Sequence, residues 1–381
     1  MEFSARDRLK LFGGAGAVLL SACGGRGTLT SWPPPPPAAE IPQLASVFED
    51  TMKIGAAVQS GQLFPASGEQ TLLETHFNSL TAEYEMKAAT IAPTPGTYNF
   101  APAETLLGFA EANAMDVRGH ALLWHQTTPG YFFEGSQVEI RTRLETYITD
   151  VVTRFRGRVT VWDVVNEVAD EAYAPNPVAP YRNSNWYQAT SSPDFIEWAF
   201  RAARAADPNV KLFLNDYETR RPEKRAYVLQ IVQDLLDKGV PIDGIGQQGH
   251  LNVQTNVNDL LAAIDAVDAL DANLEQHVTE IDVSIYDDPG TCWESGTNCQ
   301  ANYGAITPDS VLRTQAQKYR DLMAGLSARS SVTSATLWGV TDGQSWLNTL
   351  PITRTNAPLL FDRSGEPKAA FHAITNPDFV I

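Results

Sequence analysis

From Lys53 onward the chain alternates short apolar runs with longer stretches in which apolar residues return every three or four positions. The short runs predict strands at 53–58, 77–83, 116–123, 160–166, 211–215, 244–248, 276–282 and 335–339. The longer stretches predict helices at 101–114, 137–156, 194–206, 222–238, 257–270 and 308–328. Asp207-Pro208 and Lys238-Gly239 fall where two of these helices should stop. Eight strands in alternation with helices predict an α/β fold of the (β/α)8 TIM-barrel type in a single domain; a doubly wound open sheet is the alternative. No internal repeat and no second folded module is visible in the pattern.

The polar residues that break this pattern are not scattered. Glu83, His120, Trp124, His125, Asn166, Glu167, Asn215, Gln248, His250, Glu280 and Trp338 all stand at or just past the C-terminal ends of predicted strands. In a barrel that rim is the active-site face. Glu167 closes the apolar run VWDVVNE, and Glu280 closes HVTE on a distant strand. A carboxylate at the end of a buried strand is costly unless it is paired or used. Two of them across one barrel mouth suit glycoside hydrolysis, in which one carboxyl stays protonated to donate and the other stays ionised to attack. Two rim glutamates in structural ion pairs would be the plain alternative.

Seven motifs run in order along the chain: LTAEYEMK (80–87), RGHALLWH (118–125), VWDVVNE (161–167), LFLNDY (212–217), IDGIGQQGH (242–250), VTEID (278–282) and WGVTDGQSWL (338–347). Through them the chain resembles a glycoside hydrolase family ten endo-β-1,4-xylanase from about residue 45 to 375. The resemblance implies a retaining enzyme with Glu167 as acid/base and Glu280 as nucleophile, their carboxyls about 5–5.5 Å apart. It implies that Asn166 donates to the 2-hydroxyl of the reacting sugar. It also implies that His250 bonds Glu280 and is itself oriented by Asp282, and that Gln248 lines the same wall. Glu83, Lys87 and His120 are expected to bind sugar hydroxyls, and Trp124, Trp338 and Trp346 to cover the apolar faces of the rings. His125 is expected to support the acid/base region, while Trp162 and Trp198 are expected in the core. Asn215 and Tyr217 are open between rim contact and structural support.

Three positions depart from the family pattern. Tyr84 stands where an Asn usually helps bind the sugar in subsite −2, Ala88 where a Trp usually follows the Lys, and Thr127 where a Gln is usual. All three fall on the glycone side. Tyr84 is therefore expected to narrow or reshape subsite −2.

Composition adds limits rather than identity. A net charge of −17 over 381 residues gives no basic footprint for nucleic acid or anionic lipid, and neutral polysaccharide is compatible with it. No phosphate-cradling glycine loop follows the first strand, and no cofactor or metal is expected. Residues 1–23 read as an export signal: Arg6, Arg8 and Lys10, then an apolar stretch from Leu11 to Leu20 that is too short to span a bilayer. Leu20-Ser21-Ala22-Cys23 resembles a bacterial lipobox, with Cys23 as the lipidated residue; an ordinary cleaved signal peptide is the alternative.

Residues 24–41 contain Pro33 to Pro37, a polyproline spacer, and residues 42–381 form the expected catalytic domain. The expectation is an exported monomer acting on xylan or xylo-oligosaccharide. It would be held at the periplasmic or cell surface by a lipid anchor, or otherwise secreted. Cys292 and Cys299, in the loop-like DPGTCWESGTNCQ, read as a short-loop disulfide in an exported protein. Two other functions compete: a glycosidase of β-1,4-glucan or aryl glycosides, and a non-catalytic sugar-binding barrel.

Overall fold

A computed structural model describes residues 41–270, 273–304 and 306–381, so the segment expected to be an export signal, Cys23 and the proline run lie outside the described residues. The strands are β1 (Lys53–Val58), β2 (Ser79–Ala82), β3 (Asp116–Gly119), β4 (Leu123–Trp124), β5 (Val161–Asn166), β6 (Lys211–Asp216), β7 (Gly244–Gln247), β8 (His250–Asn252), β9 (Glu275–Ser284) and β10 (Val332–Leu337). Their neighbours run β10-β1-β2-β3-β5-β6-β7-β9, all parallel, and β9 pairs with β10 to close the ring. Closure of eight parallel staves makes the (β/α)8 barrel and excludes the open sheet.

Each predicted strand is found, with two refinements. The run 116–123 splits into β3 and β4, and the short β4 pairs with the end of β5. An added strand, β8, sets His250 opposite Asp282 on β9. The six predicted helices occur within two residues of their expected ends, the helix Asp194–Ala206 at both ends. The helices Gln70–His76 and Ala369–Thr375, which follow the first and last staves, are seven residues each. Two turns are too few for a 3.6-residue period to stand out.

The helices bury aliphatic stripes against the outside of the barrel, and Trp162 lies among these core residues while Trp198 packs at their edge. Inside the barrel runs a buried charged column, with the Phe213 ring packed against Arg118 and His277. Arg118 pairs with Asp163 through two hydrogen bonds, Arg118 Nη1 reaches His277 Nδ1 at 2.7 Å, and Asp163 Oδ2 lies 2.9 Å from His120 Nδ1. Asp163 is fully buried. Removing one partner of such a pair costs about 3–5 kcal/mol, because it strands the other charge. The column thus leads from the barrel's interior up to His120 at the rim. It also gives His277 a structural place.

Candidate active site

Glu167 sits one residue past β5 with φ +59°, in the left-handed region that a side-chain-bearing residue avoids. Holding it there costs about 1–3 kcal/mol and turns the chain abruptly at the strand end. The conformation is fixed by Glu167 N–H donating to Asn215 O at 2.8 Å and by Arg182 Nε donating to Glu167 O at 2.7 Å. The carboxylate accepts from Trp124 Nε1 at 2.7 Å and Gln248 Nε2 at 3.1 Å. Burial pushes its pKa above the usual glutamate value against these two donors, and the charges of Asp216 and Glu280 push the same way.

Glu280, on β9, is buried as well, but its partners differ. It accepts from Asn215 Nδ2 at 2.9 Å and from His250 Nε2 at 3.2 Å. Burial alone would raise its pKa; the His250 hydrogen bond, the nearby His120 and the His250 charge outweigh this and hold it below the usual value. His250 donates its other N–H to Asp282 Oδ2 at 3.0 Å. Burial would lower the imidazole's pKa, yet Asp282 and Glu280 together raise it to about 10. Asp282 Oδ2 also accepts from Trp346 Nε1 at 2.8 Å, so one oxygen anchors both the imidazole and the indole.

Asn166 and Asn215 join the two carboxylates. Asn215 Nδ2 donates to Asn166 Oδ1 at 2.9 Å while Asn215 Oδ1 accepts from Thr279 at 2.7 Å. With its oxygen engaged, Asn166 has its amide N–H groups left to donate. Asn215 is fully buried between Asn166 and Glu280, which resolves its open sequence reading in favour of holding the site together. Gly246 makes room for it: a Cβ there would lie 2.2 Å from Asn215 Oδ1.

The remaining predicted residues gather around this pair. The Lys87 ammonium lies 4.5 Å from the Trp124 ring and 4.9 Å from the Tyr84 ring. Burial lowers its pKa, opposed by Glu280, Glu83 and Glu167. Glu83 accepts from Gln59 at 3.0 Å, and burial raises its pKa. His120 packs edge-on to Trp338 at 5.4 Å, and Trp338 in turn lies 6.4 Å from His250. Trp346 lies 5.1 Å from His250. Tyr84 is about half exposed beside Lys87.

His125 stands apart. Its ring meets Trp124 edge-on at 6.1 Å, its Nδ1 is buried without a hydrogen-bond partner, and burial with the Arg182 and Lys224 charges pushes its pKa down to about 3. It borders the acid/base region through its contact with Trp124.

Four contributors were not singled out from the sequence. Asp163 was legible as a charge inside an apolar strand. Arg182, which clamps the Glu167 carbonyl, lies in an irregular loop with no pattern around it. The fully buried pair Lys224 and Asp216, 3.0 Å apart, supports that loop by bonding both the carbonyl and the N–H of Ala169. Cys292 and Cys299 are bonded as a disulfide, but residues Gly290–Ser295 form a short helix where the composition reads as loop. Among the described residues no helix is long and apolar enough to cross a membrane.

The chain has counterparts among known proteins in both sequence and fold. The sequence model of Glycosyl hydrolase family 10 matches residues 43–377. A thermostable celloxylanase of Thermoclostridium stercorarium is 40% identical over 360 residues, which covers 89% of this chain and 88% of that protein. A β-1,4-xylanase of Dictyoglomus thermophilum is 40% identical over 338 residues, 88% of this chain and 91% of that one. The crystal structure of xylanase B from Clostridium stercorarium F9 aligns with a TM-score of 0.81 at 39% identity, covering 88% of this chain and 100% of the other. The chain belongs to glycosyl hydrolase family 10.

Proposed function

We propose that this chain hydrolyses internal β-1,4-xylosidic bonds of xylan with retention of configuration. Glu167 protonates the leaving oxygen while Glu280 attacks the anomeric carbon; Glu167, now ionised, takes a proton from the water that cleaves the glycosyl-enzyme. The observation that carries this reading is the divergence of the two carboxyls: Glu167 is held above its usual pKa and Glu280 below it. Neighbouring carboxyls displaced in opposite directions mark an acid and a nucleophile. Asn166 has donors left for the 2-hydroxyl, Lys87 and His120 for other hydroxyls of the same sugar, and Trp124, Trp338 and Trp346 supply its apolar walls. The names of the relatives, xylanases and a celloxylanase, support xylan as substrate.

Turnover of an aryl β-xylobioside with the β-anomer appearing first by NMR, lost in Glu280→Ala, tests the assignment; an initial α-anomer would refute retention. The name celloxylanase favours one second reading, in which β-1,4-glucan is also cut. Comparing kcat/KM for aryl xylobioside and cellobioside separates the two. At subsite −2, Tyr84→Asn should change the product lengths from linear xylo-oligosaccharides, and identical products would remove Tyr84 from specificity. For the address of the enzyme, the lipobox-like Leu20-Ser21-Ala22-Cys23 supports a lipid anchor followed by a proline spacer. Fatty-acid labelling that persists in Cys23→Ser would refute that anchor.

A further inference from the structure

The segment that follows β9, from Tyr286 to Asn302, takes no part in the chemistry above, yet it is built firmly against the site. Cys292, fully buried, is bonded to Cys299 seven residues on. At the segment's base Asp288 and Arg354 form an ion pair whose side chains are almost wholly buried. Arg354 also donates to Gln300 O at 2.9 Å, and its guanidinium lies 3.7 Å from the centre of the Tyr286 ring. Gln300 N–H closes the loop onto Asp288 Oδ1 at 2.9 Å. Arg354 N–H in turn donates to Asn348 O at 3.1 Å, and Asn348 ends the single 3-10 turn Trp346–Asn348. The disulfide segment is thereby tied to the chain that carries Trp346. Between the two lies Trp293, still 48% exposed, with its ring centroid 5.7 Å from that of Trp346 at 43°.

Trp346 is thus held from three directions. Its indole N–H is bonded to Asp282 Oδ2, and its ring lies between His250 at 5.1 Å and Trp293 at 5.7 Å. One hydrogen bond fixes a point on an indole but leaves the plane free to swing about it. The ring contacts limit that swing, and the one from Trp293 comes from the disulfide segment. We propose that Trp293, carried on the Cys292–Cys299 segment, is a positioning residue that holds the Trp346 wall against the reacting sugar and so sets discrimination against a sugar bearing a hydroxymethyl group at C5. This rests on the xylanase reading, in which Trp346 walls the subsite of the reacting sugar. A pocket separates substrates that differ by one carbon-sized group by roughly 10–200-fold. It does so only if the wall that would be struck cannot yield.

The test measures kcat and KM on the full chain for aryl β-xylobioside and aryl β-cellobioside, in wild type, Trp293→Ala, Trp293→Phe and Cys292→Ser/Cys299→Ser. Trp293→Ala and the double serine variant should lower the xyloside-to-glucoside ratio of kcat/KM by about 3- to 10-fold. The change should appear as lower kcat on the xyloside and faster turnover of the glucoside, and Trp293→Phe should recover most of the ratio. Because Trp293 is half exposed, its variants are expected to fold, with unchanged circular dichroism as the check. They decide the matter even if the double serine variant does not fold. An unchanged ratio in folded Trp293→Ala, with wild-type turnover intact, overturns the positioning role alone. A loss confined to KM for longer xylo-oligosaccharides overturns it too, since Trp293 would then touch sugar itself. No turnover of either aryl glycoside by wild type overturns the xylanase reading together with this one.

Discussion

Replacing Asp282 by Asn tests the relay behind the nucleophile. Partial burial opposes the charge on His250, and the Asp282 carboxylate is foremost among the groups that raise its pKa from 6.5 to about 10. Without that charge burial should pull the imidazole's pKa down, and wherever the ring is neutral Glu280 faces an uncharged partner 3.2 Å away instead of a cation. At an effective dielectric of about 20, two unit charges about 4 Å apart attract by about 4 kcal/mol. At 1.36 kcal/mol per pH unit this sets a ceiling of about 3 units on the rise in the Glu280 pKa. The His250 side chain is 24% exposed and Asn215 still donates to Glu280, so solvent and that bond reduce the effect. The expected result is a rise of about 1–2 units in the acidic limb of kcat/KM.

The assay is aryl xylobioside hydrolysis across the acid range. An acidic limb that stays in place, in a variant with native circular dichroism, would refute the relay. Stability should follow the same logic. A group whose pKa is raised in the folded state stabilises fully below its ordinary value and loses that contribution as pH climbs through the folded value. Wild-type Tm should therefore carry a decline between pH 6.5 and about 10 that Asp282→Asn lacks.

Three further outcomes are expected. Trp124→Phe removes a hydrogen bond that holds the Glu167 pKa down, so the basic limb of kcat/KM should move to higher pH; a downward move would contradict the geometry. Glu167→Gln should slow xylan cleavage by about 10²–10⁴-fold, while the glycosylation step with a dinitrophenyl leaving group, which needs no proton, should be far less affected. Equal losses on both would remove Glu167 as the acid. Gly246→Ala drives a Cβ to 2.2 Å from Asn215 Oδ1 and 2.9 Å from Arg118 Nη2. It should cost about 1–3 kcal/mol of stability by denaturant melting and lower kcat as Asn215 is pushed off Glu280.

Much of this protein is written in its sequence. Strand and helix periods follow from which faces must be buried, and the eight staves appear where the apolar runs place them. The rim residues were legible because a buried strand that ends in Glu, Asn, Gln or His has no packing reason to do so. The seven-residue helices were not, since two turns carry too little period. Contacts between distant segments were also out of reach. Asn215 reads equally as rim or support until the barrel closes and brings Asn166 and Glu280 to either side of it. Trp124 reads as a flat wall, and only its position across from β5 shows the indole N–H bonded to Glu167. Trp293, in a segment with the composition of a loop, acquires a neighbour only because Arg354 and Asp288 tie that segment to the chain bearing Trp346. The sequence by itself determined the barrel and its two glutamates, because burial and periodicity are local. The displacement of the two carboxyls' pKa values belongs to the tertiary structure, because it depends on charges and donors brought together from separate strands.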